Sequence, residues 1–85
     1  MGKKLDLFND YCKRGYIFDT ELVSGDYDGL CILKAYIVDY NGYRKKRIPG
    51  TTIYQVWDSM DYAESVDFDT LKEARQYWIE SVIDR

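Results

Sequence analysis

The sequence predicts an α+β fold: an antiparallel sheet of four to five strands, with an N-terminal short helix and a C-terminal helix packed on one face. Residues 16–68 contain short segments that alternate apolar and polar residues and are separated by turn sequences, as strands are. Residues 71–82 instead carry apolar side chains at helical spacing. We expect one compact domain over residues 1–85, because no linker or repeat interrupts these patterns.

The N-terminal helix is predicted over residues 4–14. Leu5, Phe8 and Cys12 recur at the spacing of one helical face. Gly15 follows directly, where a glycine commonly ends a helix by adopting a positive φ. This pattern indicates a short amphipathic helix.

The sheet is predicted as an antiparallel meander whose strands cover residues 16–23, 30–40, 43–48, 52–57 and 62–68. Between the second and third strands, Asn41-Gly42 is typical of a type I′ hairpin turn, because both central positions of that turn need positive φ. The third strand ends at Pro49-Gly50.

Residues 52–60 have two interpretations. They fit a helix with Thr52 and Gln55 as a capping pair and with four apolar residues on one face, namely Ile53, Val56, Trp57 and Met60. They also fit a strand followed by a turn. We favour the strand, because isoleucine, tyrosine, valine and tryptophan are good strand formers.

The C-terminal helix gives the strongest structural signal. Thr70 and Glu73 match the capping pattern, in which a hydroxyl and a carboxylate satisfy backbone N–H groups at a helix start. One apolar stripe follows, made of Leu71, Ala74, Trp78 and Val82. The opposite side is mixed in charge, so this helix is predicted to be a scaffold that covers the sheet.

The composition excludes several functional classes. Histidine is absent, which removes the commonest general base and the commonest zinc ligand. Only two cysteines occur, Cys12 and Cys31, and both are expected to be reduced. We therefore expect no enzymatic activity, no catalytic residues, no metal and no cofactor. No apolar run approaches the roughly 20 residues of a membrane span, so we expect a cytoplasmic protein without a membrane partner.

Acidic residues cluster in two predicted loops. Spaced carboxylates on a small domain can imitate a row of phosphates and occupy a basic nucleic-acid channel of another protein. The alternative is a solvated surface with aspartates in turns, where their side chains bind local backbone. With tyrosines as aromatic anchors, the predicted partner-binding residues are Asp26, Tyr27, Asp28, Asp58, Asp61, Tyr62 and Glu64.

A basic run at residues 44–47 favours a second interpretation, contact with phosphates. The competing explanation is an edge strand protected by charge against further pairing. The net charge of −3 argues against a generic nucleic-acid binder. The alternative nucleic-acid-binding residues are Arg44, Lys45, Lys46, Arg47, Lys72 and Arg75.

Two nucleic-acid-binding families share local features with the chain. Two strands followed by Phe68-Asp69-Thr70-Leu71-Lys72-Glu73-Ala74-Arg75 resemble the close of integrase arm-type DNA-binding domains. The segment Phe8-Asn9-Asp10-Tyr11-Cys12-Lys13-Arg14-Gly15 resembles the first helix of double-stranded-RNA-binding domains. The Gly-Pro loop of the latter family is absent, and residues 49–67 would be an insertion. Both resemblances imply direct nucleic-acid binding, which we expect less than binding to a protein.

In size and composition the chain is similar to small phage-encoded inhibitors of the anti-CRISPR type. Those proteins are compact, often acidic, rich in tyrosine and without catalytic residues. The resemblance implies a non-enzymatic protein-binding module that inhibits a nucleic-acid-handling enzyme in a host cytoplasm. A third possibility is a structural module whose sheet edge pairs with a second copy. The sequence leaves the oligomeric state and the identity of the partner open.

Overall fold

The structure, a computed structural model, describes residues 2–25, 29–58 and 65–83, apart from the side chain of Val82. Its helices and strands are, in chain order, α1 (Lys3–Lys13), β1 (Ile17–Gly25), β2 (Leu30–Asn41), β3 (Arg44–Arg47), β4 (Ile53–Asp58), β5 (Ser65–Phe68) and α2 (Leu71–Ile83). Every strand pair is antiparallel, and the five strands form one sheet. The predicted α+β fold is confirmed.

The long strand β2 organises the sheet. It pairs with β1 along one side, while its other side pairs first with β4 and then with β3. β4 also pairs with β5, so the path across the sheet is β1-β2-β4-β5. The prediction of a simple meander is therefore wrong. β4 pairs with β2 instead of β3, and it has room to do so because the four residues of β3 cover only the far part of β2.

The side chain of Thr51 bonds to the backbone at the point where β2 stops pairing with β4 and begins to pair with β3. Its hydroxyl accepts a hydrogen bond from the N–H of Ile37 (3.1 Å) and donates one to the carbonyl of Ile48 (2.7 Å). The N–H of Ile48 in turn donates to the carbonyl of Ile37 (3.0 Å). Thr51 is completely buried, so this hydroxyl satisfies an N–H group that lies between the two strand partners.

The two helices pack on opposite faces of the sheet. β2 and β4 pair without a register shift, so alternate residues of β2 point to opposite faces. Phe8 of α1 packs with Ala35, Ile37 and Ile53, which we call the α1 face. Ala74 of α2 packs with Ile32 and Val56, which we call the α2 face. Helices on both faces explain why the middle of β2 is apolar at consecutive positions.

Side chains distant in sequence satisfy the helix starts and strand ends. The N-cap of α1 is Gly2, which has no side chain to cap the helix, and the Asp69 carboxylate accepts the N–H of Leu5 instead (2.9 Å). The indole N–H of Trp78 donates to the carbonyl of Leu30 (3.2 Å), which fastens α2 to the start of β2.

The predicted cap of α2 is confirmed in part. The N–H of Glu73 donates to the hydroxyl of Thr70 (3.3 Å), as expected for an N-cap. The hydroxyl also donates to the Glu73 carboxylate (2.8 Å), whereas the reciprocal pattern has that carboxylate bound to the backbone N–H of the cap. On the predicted stripe, Ala74 is buried, and Leu71 and Trp78 pack against the core of the α2 face.

Two local predictions resolve differently. The strand interpretation of residues 52–60 is confirmed for Ile53–Asp58, and Ser59 and Met60 lie outside the described residues. The β2–β3 hairpin is confirmed, but the predicted type I′ turn at Asn41-Gly42 is wrong. Asn41 pairs with Arg44, so the central residues are Gly42 and Tyr43, and only the glycine has positive φ (65°). That is the pattern of a type II′ turn.

Candidate functional site

The two acidic segments of the sequence are attached at the same end of the sheet. Segment 26–28 connects β1 to β2, and segment 59–64 connects β4 to β5. Their flanking strand ends are neighbours, because Leu30 pairs with Asp58 and Trp57 pairs with Ser65. We call this the acidic end. Of the predicted partner-binding residues, Asp58 lies here, whereas Asp26, Tyr27, Asp28, Asp61, Tyr62 and Glu64 fall outside the described residues.

Two further carboxylates, which follow segment 59–64 in the chain, lie within the fold. Asp69 caps α1, as described above. Asp67 pairs with Gln55 across β5 and β4, and one of its oxygens is buried without a hydrogen-bond partner. Burial raises the pKa of Asp67, and a hydrogen bond from Gln55 partly opposes that rise. Burial and the nearby Asp67 charge also raise the pKa of Cys12, which keeps this thiol protonated.

An apolar groove of about 400 Å³ lies on the α1 face and leads to the acidic end. It is lined by Phe18, Leu33, Gln55, Trp57 and Ser65, and we call it the sheet groove. Leu33 pairs with Gln55, Trp57 pairs with Ser65, and Phe18 lies on β1 beside β2, so the lining crosses four adjacent strands.

The sheet groove exists because α1 is too short to cover its face. Eleven residues of α-helix extend only about 16 Å, whereas the twelve residues of β2 extend about 40 Å. α1 packs where Ala35 and Ile37 lie, and Phe18 at the margin of this contact remains 43% exposed. Sequence reasoning missed the groove, because a strand has the same alternating pattern whether a helix covers its apolar residues or leaves them open. The length difference between the two elements was the signal that could have revealed it.

The basic run occupies β3, at the other end of the sheet from the acidic end. All four of its residues are exposed. On the α2 face, Lys45 forms an ion pair with Asp19. Arg47 lies 3.5 Å from the carboxylate of Glu21, and its guanidinium is 3.7 Å from the ring centre of Tyr36. Two of the four basic residues, Lys45 and Arg47, therefore interact with side chains of β1 and β2.

Glu21 is the centre of this charged network. The hydroxyl of Tyr36 donates to its carboxylate (2.9 Å), and Lys34 lies 3.7 Å away. The Tyr36 hydrogen bond, together with the charges of Lys34 and Arg47, lowers the pKa of Glu21. A hydrogen bond to Asp19 raises the pKa of Lys45, so the charged form is favoured at both residues. The network connects β1, β2 and β3, which favours the interpretation of the run as charge that protects and fastens the sheet.

The other half of the run makes no ion pair with the described residues. Arg44 pairs with Asn41 and Lys46 with Asp39 along the backbone, which places both side chains on the α1 face. Tyr43, in the turn beside them, is fully exposed. These three residues form the hairpin tip.

Lys72 and Arg75 do not extend the basic run. Both are exposed on α2, and α2 packs against β2, β4 and β5. The structure therefore brings together the four basic residues of β3 but does not unite them with the two on the helix.

Neither a metal site nor a membrane-spanning helix is found in the part of the chain that the structure describes. Within residues 2–25, 29–58 and 65–83, no group of three or more cysteine, aspartate and glutamate side chains could hold a metal ion. No helix in those ranges has the length and apolar character needed to cross a membrane. A comparison of the chain with protein-family models, curated proteins and solved structures finds no match, so no relative assigns a role to any residue.

Proposed function

We propose that the protein is a non-enzymatic protein-binding module that uses its acidic end and the adjoining sheet groove to occupy a basic surface on a nucleic-acid-handling enzyme. The observation that supports this most is topological. The chain attaches both acidic segments at the end of the sheet opposite the basic run, and the strands that flank segment 59–64 line the apolar groove.

The groove supplies the apolar centre that a protein interface needs. Protein interfaces combine an apolar, often aromatic centre with a polar rim, and a few aromatic anchors contribute most of the binding energy. Phe18 and Trp57 are the aromatic residues in the groove lining. Alternation along β4 places the side chain of Asp58 on the α2 face, so the groove borders the acidic end through Trp57 and Ser65, which pair with each other beside segment 59–64.

The negative charge of the acidic end indicates the chemistry of the partner. Five acidic residues flank or lie in the two connecting segments, namely Asp26, Asp28, Asp58, Asp61 and Glu64. A surface of this sign is attracted to clusters of lysine and arginine, which are the residues that enzymes use to bind phosphates. The partner surface is therefore a basic nucleic-acid site, and nucleic acid competes with this protein for it. An anti-CRISPR-type inhibitor acts in this way.

The test is a capture experiment followed by competition. The immobilised chain is exposed to host extract, retained proteins are identified by mass spectrometry, and the purified candidate is titrated by biolayer interferometry. We expect saturating nucleic acid to displace the candidate. Reversing the charges of Asp61 and Glu64 to lysine should weaken binding at least tenfold. Retention that survives both changes contradicts the proposal.

A matched control keeps the charge count and changes only its position. Asp39 on β2 and Glu80 on α2 are exposed carboxylates away from the acidic end, and their reversal to lysine alters the net charge by the same amount. Binding by this double variant should stay within about twofold of wild type. Equal losses in both double variants would mean that net charge alone, rather than the acidic end, attracts the partner.

The hairpin tip favours a second candidate function, weak binding of single-stranded nucleic acid. Arg44 and Lys46 provide two exposed cations, and Tyr43 provides an exposed ring on which a base can stack. A fluorescence anisotropy titration with a short oligonucleotide tests this candidate. Loss of binding in Tyr43→Ala and in Arg44→Glu supports it, and the absence of any binding at low salt rejects it.

A further inference from the structure

The outer edge of β1 is an open binding edge in the described sheet. Among the described strands, β1 pairs only with β2, so its other side presents unpaired backbone groups. The strand is nine residues long, and a register shift after Leu22 interrupts its regular pairing. Residues 17–22 therefore form the regular part of this edge.

The side chains along this edge alternate in character. On the α1 face lie Phe18, Thr20 and Leu22, and the two apolar residues are 43% and 41% exposed. On the α2 face, Asp19 and Glu21 take part in the charged network. Such an edge accepts a strand with apolar residues opposite Phe18 and Leu22.

We propose that this partner strand is β1 of a second copy, paired antiparallel about a two-fold axis at Thr20. In that register Phe18 of each copy lies opposite Leu22 of the other, and the two Thr20 residues face each other. Apolar pairs and threonine pairs both stabilise antiparallel strands. The sequence Phe-Asp-Thr-Glu-Leu is thus self-complementary on the α1 face.

Neighbouring registers lose the apolar pairing. A two-fold axis shifted by one residue places Thr20 opposite Phe18 or opposite Leu22, so neither shifted register contains the apolar pair of Phe18 and Leu22. Carboxylates meet across the edge in all three registers, and the register centred on Thr20 places Asp19 opposite Glu21. Each copy supplies Lys34, Lys45 and Arg47 beside these two carboxylates, so three cations accompany two anions per copy and offset the remaining repulsion.

This pairing merges the two sheets and places the two sheet grooves on one continuous face. Phe18 belongs to both the groove and the edge, so each groove borders the new strand pair. The contact is short and covers less than the roughly 800 Å² per partner of a standard stable interface. We therefore expect a dimer that forms at high micromolar concentration. The inference is independent of the proposed function, because a monomer can use its groove equally well.

Sedimentation equilibrium of the full chain from about 5 to 500 µM is the first measurement. We expect the mass to rise toward that of a dimer. Leu22→Lys should remain a monomer, because a charge opposite Phe18 opposes pairing. Ile79→Lys is the matched control, since Ile79 is similarly exposed (47%, against 41% for Leu22) but lies on α2. A monomer at every concentration, or equal dimerisation of both variants, overturns the proposal; circular dichroism verifies that each variant is folded.

Cysteine cross-linking tests the register. Residues directly opposite in an antiparallel pair have Cα atoms about 4.5 to 5.5 Å apart, within the range of a disulfide. Thr20→Cys should therefore form a disulfide dimer under mild oxidation. Glu21→Cys should not, because in this register the two copies of residue 21 are about 8 Å apart. Equal cross-linking of the two variants, or cross-linking no greater than that of the wild-type chain with its own cysteines, overturns the register.

Discussion

Replacing Thr51 with valine should strongly destabilise the fold, because the Thr51 hydroxyl bonds the backbone where β2 changes partner. Valine keeps the shape and the β-branched side chain but removes the hydroxyl. The buried N–H of Ile37 and the carbonyl of Ile48 then lose their partner. An unsatisfied buried N–H costs about 1 to 3 kcal/mol, and the second hydrogen bond contributes about 1 kcal/mol. The sum is about 2 to 4 kcal/mol.

That loss is large for a chain of this length. A domain of 85 residues is expected to have a free energy of unfolding of about 4 to 13 kcal/mol. Each kcal/mol lowers the melting temperature of a small domain by about 4 to 8 °C, so Thr51→Val should melt at least about 8 °C below wild type. Thermal unfolding followed by far-ultraviolet circular dichroism measures this shift, and urea titration gives the free energy directly.

Two comparison variants make the Thr51 prediction specific. Thr20→Val applies the same change at an exposed strand position and should leave the free energy of unfolding within about 0.5 kcal/mol of wild type. Thr51→Ser retains the hydroxyl and should lose clearly less stability than Thr51→Val. If serine and valine at position 51 are equally destabilising, packing rather than the hydroxyl explains the loss, and our account of how β2 changes partner is wrong.

Three further predictions follow from single contacts. Asp67→Asn should raise the free energy of unfolding at pH 7. Burial raises the pKa of Asp67 in the folded state, so the fold favours the protonated carboxyl, and this stabilisation of the wild type is lost as the pH rises through that pKa. Asparagine is neutral at every pH, so the difference in stability from wild type should vanish in urea titrations below about pH 4. Thr70→Ala removes the N-cap hydroxyl that binds Glu73 and should cost about 1 kcal/mol in the same titrations, whereas Thr70→Asp should cost less. If the hairpin tip binds single-stranded DNA, log K should fall with log salt at a slope near −1.4 for two cations, and Arg44→Gln with Lys46→Gln should abolish that slope.

The helices and the strand segments could be predicted from sequence because their signals are local. The stripe and cap of α2 lie within a few residues of each other, and the spacing of Leu5, Phe8 and Cys12 indicates α1 equally directly. The return of β4 to β2 could not be predicted, since it depends on contacts between distant residues. Thr51 looked like an ordinary loop residue, and its role appears only once Ile37 and Ile48 are adjacent.

The candidate site was predictable in charge but not in shape. The sequence shows which residues are acidic, yet only the topology attaches both acidic segments at one end of the sheet. It shows the basic run, yet the engagement of Lys45 and Arg47 by Asp19 and Glu21 requires the register of β1, β2 and β3. The sheet groove depends on where α1 lies across its face, and the predicted lengths of α1 and β2 indicate only that part of this face stays uncovered.

The most direct test of the proposed function adds one positive charge to the sheet groove. Ser65 is exposed at the groove margin, so Ser65→Arg places a cation where we expect the basic partner surface. Asn41→Arg adds the same charge at the opposite end of the sheet, where Asn41 is also exposed. With the purified partner from the capture experiment, we predict that Ser65→Arg raises the Kd at least tenfold while Asn41→Arg stays within about twofold of wild type. Equal Kd values for the two variants would contradict binding through the acidic end and its groove.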